Sequence, residues 1–172
     1  MNKRNRDSNR GTTEEVPDTD LHIDKLQTSV ALSLMLESQS AAIPSLTTAL
    51  PAIEDAVTAA HERLVANSAG RLIYTGAGTS ARIGVQDGAE LPPTFNWPKK
   101  RLAFLIAGGP SALLEAIENA EDDEEAGVTD ATKIRIGKHD VVIGVAASGQ
   151  TPCTHGVVLA ARAAGALTIG IA

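Results

Sequence analysis

The sequence has a single cysteine, Cys153, in 172 residues, so it can form no internal disulfide and no cysteine cluster for a metal. Aromatic residues make up 2% (two Phe, one Trp, one Tyr), which leaves a core to be built from Leu, Ile, Val and Ala. An aliphatic interior of that kind suits packed helices and a buried parallel sheet better than an aromatic-rich barrel. Excess positive charge is also missing. Fifteen Lys and Arg stand against 21 Asp and Glu, a net −6, which argues against a general binder of nucleic acid or of anionic membranes. No apolar run approaches the roughly 20 residues that span a bilayer, and none follows the basic start as a signal core would. The four histidines, His22, His61, His139 and His155, show neither HxxxH nor HExxH spacing, so no metal site is expected. These absences lead to the expectation of an acidic, soluble, cytoplasmic protein of about one domain, 43% apolar and 21% charged.

Residues 1–18 are polar and nearly devoid of large apolar groups, and are expected to form a flexible arm. Residues 19–69 carry helical periodicity. Leu21, Leu26, Val30, Leu34 and Met35 fall near one face, with Asp20 or Asp24 as candidate caps. Ile43, Leu46, Leu50, Ile53, Val57 and Leu64 continue at spacings of three, four and seven, with Pro44 placed to open the second helix and Pro51 to start or kink it.

From residue 70 the grammar changes. The short apolar runs Leu72–Thr75, Leu102–Ala107, Val141–Ala147 and Leu167–Ile171 alternate with the partly helical intervals Ser80–Glu90, Ser111–Ala120 and Pro152–Ala164. Such alternation with unbroken apolar strands predicts an α/β fold, a parallel sheet with helices on both faces, preceded by the N-terminal helices. Because Ala172 directly follows a strand that should be buried, residues 70–172 read as an incomplete domain. Phe95 and Trp97 are expected to plug a loop, and Lys99-Lys100-Arg101 to form a solvated basic turn.

Two loops could hold chemistry. Thr75-Gly76-Ala77-Gly78-Thr79-Ser80-Ala81-Arg82 follows the first strand, where glycines admit an anion and the next helix opens with free N–H groups and the positive end of its dipole. It is not a dinucleotide fingerprint, since the third glycine, Gly84, comes six residues after Gly78. Ala147-Ser148-Gly149-Gln150-Thr151-Pro152 repeats the design after the third strand. Two hydroxyl-rich loops at the carboxyl ends of parallel strands share one side of the sheet, where open α/β sheets bind ligands, so a phosphorylated small molecule is the expected partner.

The segments RLIYTGAGTSARIGVQDGAELPPTF, LIAGG, ENAEDDEEAGVTD and DVVIGVAASGQTP resemble the N-acetylmuramic acid 6-phosphate etherase family of the sugar isomerase domain superfamily. The likeness runs from about Gly70 to Ala172 and extends more loosely to Thr19–Asn67. It implies cleavage of the D-lactyl ether of N-acetylmuramic acid 6-phosphate to N-acetylglucosamine 6-phosphate and D-lactate, by elimination across C2–C3 and addition of water, with no metal or organic cofactor. It also implies a homodimer. Carried over by motif, Glu90 would be the acid to the leaving lactate, and Glu121 would take the C2 proton and activate water. The phosphosugar would be held by Gly78, Thr79, Ser80, Arg82, Ser148, Gly149, Gln150 and Thr151.

The chemistry asks independently for two carboxyl groups in different protonation states, one for the proton beside the opened sugar's aldehyde and one for the departing oxygen. A geometric difficulty goes with this assignment. A straight helix over Ser80–Glu90 would put Glu90 roughly 15 Å from the phosphate loop, so either the segment bends, with Pro92-Pro93 ending it, or a second protomer completes the site. The chain departs from the family pattern at Ala81, where glycine is usual, at Gln150 for arginine, and at Asn119 for a frequent glycine. Cys153, at a helix opening without a placed histidine, reads as a packed thiol. The alternatives are a non-catalytic sugar-phosphate-binding regulatory protein, since the glucokinase regulatory protein resembles the same family, and an aldose–ketose isomerase. The segments AELPP and NAEDD point away from the isomerase.

Overall fold

A computed structural model describes residues 22–172. The arm expected over residues 1–18, together with Asp20 and Leu21, lies outside the described residues.

Four parallel strands, β1 Leu72–Gly76, β2 Leu102–Ile106, β3 Val141–Val145 and β4 Leu167–Ile171, form a sheet in the order β2-β1-β3-β4. The register sets Leu72 opposite both Leu102 and Val141, so the expected parallel pairing of the first and third runs is present. Side chains alternate across the sheet. One face carries Ile73, Leu105 and Val142, packed with Ala131 of α4 (Glu124–Lys133) and Val157 and Ala161 of α5 (Pro152–Ala163). The other face carries Tyr74 and Phe104, stacked at 5.9 Å between centroids, beneath α3 (Gly78–Phe95). Gly84 and Gly88 of that helix lie directly over the two rings; a methyl group on Gly88 would meet Phe104 at 2.6 Å. The core is aliphatic, as the scarcity of aromatics requires. Ile73, Val141, Val142 and Val157 are its most enclosed large side chains, each contributing about 1.5–3 kcal/mol by burial.

The amino ends of the strands are tied by arginines. Asp140, buried just before β3, accepts from Arg71 Nη2 at 2.7 Å, Arg71 Nε at 3.2 Å and the backbone N–H groups of Arg71 and Gly137 at 2.9 and 3.0 Å. Burial alone would raise the Asp140 pKa, but the Arg71 guanidinium and these N–H groups outweigh it and hold the carboxyl below the ordinary carboxylate range. Arg63 donates to the carbonyls of Lys138 and Gly165. Arg101 donates to the carbonyls of Gly70, Leu64 and Asn67, with its guanidinium 4.6 Å over the Trp97 ring.

Several expectations need correction. Arg101 is an internal tie rather than part of a solvated turn, and Phe95 plugs nothing, being 71% exposed. The first helix, α1 (Thr28–Ser40), takes Gln27 as its N-cap, and Asp24 sits in a short turn ahead of it. The second, α2 (Ala42–Ala66), has Pro44 in its first turn as expected, but it does not start at Pro51 and continues through it. α3 likewise passes through Pro92 and Pro93. These fall in its last turns, where little helix remains to be disrupted, and Asn96 in the left-handed region (φ 53°) closes it.

The helix expected at Ser111–Ala120 is only a 3-10 turn, Pro110–Leu113, and the real helix is α4. The acidic run, exposed throughout, carries the start signal of α4. Asp123 caps it by accepting from Ala126 N–H at 2.8 Å, and Glu124 and Glu125 face the positive dipole end.

Candidate phosphate-binding shelf

The strand order places β1 and β3 side by side while their connections leave in opposite directions, so the sheet's switch point lies between their carboxyl ends. Open α/β sheets bind ligands at such a point. Gly76 and Val145 are register partners there, and both loops singled out in the sequence emerge from them. The expected juxtaposition is present.

Each loop feeds a helix whose start lacks a side-chain cap: α3 follows Ala77 and α5 follows Thr151. The positive dipole ends of α3 and α5 make this edge receptive to an anion; in α5 Pro152 has no N–H and the Cys153 N–H is taken by the Glu121 carbonyl, so its hydroxyls and dipole end are what it offers. Gly78 (φ +52°) and Gly149 (φ +67°) occupy left-handed backbone, which glycine adopts without steric cost. A methyl group on Gly76 would meet Ala81 N at 3.0 Å, so the α3 start is pressed onto the strand end. Ala81 is helical and 4% exposed, so alanine fits where the family has glycine. Asn119, at φ 60°, accounts for a second departure, because asparagine tolerates the left-handed region better than most residues.

The hydroxyls differ in setting. Thr79 is exposed, whereas Ser80, Ser148 and Thr151 are half-buried. Gln150 N–H donates to Ser148 Oγ at 3.2 Å, which leaves the serine proton free for a ligand. The Gln150 side chain is exposed. Arg82 is engaged with the chain itself: Nε donates to Leu113 O at 2.9 Å and Nη2 to Ala112 O at 3.2 Å. It thereby ties the turn after β2 to α3. Sequence reasoning missed Thr154, in the first turn of α5, whose buried hydroxyl finds no partner among the described residues.

The two glutamates stand on different elements, Glu121 ahead of α4 and Glu90 on α3. Glu121 is exposed, and its carbonyl accepts the Cys153 N–H at 2.9 Å, fixing it beside the first turn of α5. Glu90 is exposed on α3, and that helix is continuous from Gly78. Ten residues of rise therefore separate Glu90 from Ser80 by roughly 15 Å, with no break in the helix between them. Cys153 is a buried thiol packed with Ala77, Ala107 and Ala120. Burial, with Asp130 and Asp123 nearby, raises its pKa, which fits a packing role.

The shelf is open. A separate concavity of about 210 Å³ lies between β2 and α4, lined by Phe104, Ile106, Asp130, Lys133 and Ile134. Among the described residues no group of three or more His, Cys, Asp or Glu could hold a metal ion, and no helix is long and apolar enough to cross a membrane.

Comparison with known proteins agrees with the fold. The family model for the glucokinase regulatory protein N-terminal SIS domain matches residues 48–162. The N-acetylmuramic acid 6-phosphate etherase of Deinococcus radiodurans is 45% identical over 160 residues, which is 93% of this chain and 52% of that protein. Those of Cutibacterium acnes and Pasteurella multocida are 44% and 43% identical, over 95% and 87% of this chain. The chain spans about half the length of the curated relatives it matches.

Proposed function

Because the chain belongs to the SIS-domain family, within which its relatives are etherases, we propose that it binds a 6-phosphorylated amino sugar and serves N-acetylmuramic acid 6-phosphate etherase chemistry. The observation that carries this reading is the pair of uncapped helix starts at the β1–β3 switch point, with Ser80 and Ser148 beside them. The 6-phosphate would lie across these helix starts and hydroxyls, leaving the sugar ring to extend toward Glu121. Glu121 removes the C2 proton and lactate departs from C3. A carboxylic acid donates a proton to the lactate oxygen, and water then adds to the unsaturated sugar. The protein would do this in the cytoplasm, in recycling of cell-wall sugars, without a metal or organic cofactor.

Since Glu90 lies far along α3 from the shelf of its own chain, the acid is Glu90 of a second copy in a homodimer. Apolar side chains left exposed on the helical elements, among them Leu46, Leu50, Val57, Ile83 and Phe95, are consistent with such a partner. The test is complementation between inactive variants of the complete protein. Mixed Glu90→Gln and Glu121→Gln subunits should recover about a quarter of wild-type lactate release, because half the dimers then hold one intact site. No recovery would refute the shared site.

A second reading, a sugar-phosphate-binding protein without catalysis, draws on the match to a regulatory protein's domain and on the distance of Glu90 along α3 from the shelf of its own chain. Phosphosugar binding by the complete wild-type protein without lactate release would favour it.

A further inference from the structure

α4 and α5 touch backbone to backbone through two glycines. A methyl group on Gly127 of α4 would stand 2.1 Å from the Cys153 carbonyl oxygen of α5. One on Gly156 of α5 would stand 2.2 Å from the Glu124 carbonyl oxygen of α4. The contact is reciprocal, since each glycine faces the carbonyl lying three residues before its counterpart on the other helix. Both glycines are fully buried. Carbonyl oxygens this close to a glycine Cα fit the weak C–H···O contacts found where helices cross tightly. At the same crossing the chain leading into α4 gives the Glu121 carbonyl to the Cys153 N–H, and Asp123 caps α4 immediately afterwards.

We propose that Gly127 and Gly156 are positioning residues, which hold Glu121 against the first turn of α5 beside Ser148–Thr151 by allowing the two helices to meet without side chains between them. The inference rests on the catalytic reading of Glu121. α5 cannot be the helix that yields, because Val157 and Ala161 are sealed against the sheet at 1% and 0% exposure. α4 begins at an exposed acidic segment and joins the core only further along, at Ala131, so its start is the part that can move. An added methyl group therefore lifts the start of α4, and Glu121 with it, while the phosphate-binding edge on α5 stays in place.

The test uses Gly127→Ala and Gly156→Ala, with Gly137→Ala as control, since a methyl group there meets open space. Amide hydrogen exchange at Cys153 should accelerate about tenfold or more in both crossing variants, while the Val142 amide remains protected. Affinity for N-acetylglucosamine 6-phosphate, read by calorimetry, should change less than about twofold, and turnover in the complete protein should fall about tenfold or more through misplacement of Glu121. The control should change neither. If a crossing variant does not fold, Asp123→Ala loosens the same segment without inserting an atom, and should move exchange and turnover in the same direction.

Unchanged Cys153 exchange, or loss of phosphosugar affinity in step with turnover, would overturn the proposal. A wild-type protein that releases no lactate removes the catalytic reading, whereas Cys153 exchange still decides whether the glycine crossing positions the Glu121 segment.

Discussion

The two ends of the sheet are built in opposite ways. At the amino ends of the strands three arginines are engaged: Arg63, Arg71 and Arg101 are committed to carbonyls and to Asp140, whose two oxygens accept four hydrogen bonds. At the carboxyl ends two helix starts lack side-chain caps, and the hydroxyls of Ser80 and Ser148 stand beside them. A saturated end has nothing left to offer a ligand, so its charges act on stability. An unsaturated end costs stability until something binds there. Three arginines therefore say little about the partner of this protein, while a few glycines and serines say a good deal.

The largest expected effect tests the saturated end. Asp140→Ala leaves the Arg71 guanidinium without its buried counter-ion, and should cost about 3–5 kcal/mol in denaturant unfolding. Phosphosugar affinity of the folded fraction should hold; a parallel loss would break the separation of the two ends. Next comes the catalytic segment. Glu121→Gln should lower turnover about 10²-fold with unfolding unchanged. Exchange of the substrate C2 proton with deuterated water should stop in that variant and persist in Glu90→Gln. Smaller again, Ser80→Ala and Ser148→Ala should each weaken phosphosugar binding about tenfold by calorimetry, since each removes one charge-assisted hydrogen bond.

The smallest effect is one of pH. With its pKa held below the ordinary value of 3.8, Asp140 adds stability that is fully present above that value and is lost as pH falls through the lower, folded-state one. Acid unfolding followed by circular dichroism should therefore show a shallower fall in Asp140→Asn. An identical profile would mean that the Asp140–Arg71 pair does not couple folding to protons.

The contrast was only half legible in the sequence. The strands and their order of appearance were readable because glycine punctuates continuous apolar runs, and parallel pairing followed from the helices between them. Both phosphate loops could be found because hydroxyls and glycines cluster at strand ends. Arg101 was misread because its place in a Lys-Lys-Arg run looks like solvent, and only the fold brings Leu64 and Gly70 to meet it. α4 was hidden because its cap lies inside an acidic run. Pro92 and Pro93 misled for a third reason. A proline rule written for helix interiors overstates the cost near a helix end, where few hydrogen bonds remain to be lost.

The Arg101 tie has an optical consequence. Trp97 is the single tryptophan of the sequence. Its ring lies under the guanidinium that grips the end of α2 and the entry to β1, and its own Nε1 donates to the Arg101 carbonyl at 3.1 Å. Emission from this protein therefore reports on one joint, the seating of α2 against the sheet, on the far side from the phosphate shelf. A titration with phosphosugar should leave the emission maximum in place. Any red shift during mild denaturation will mark the release of the N-terminal helices, ahead of or together with the sheet, so the molecule carries its own fluorescent gauge of whether those two parts unfold as one.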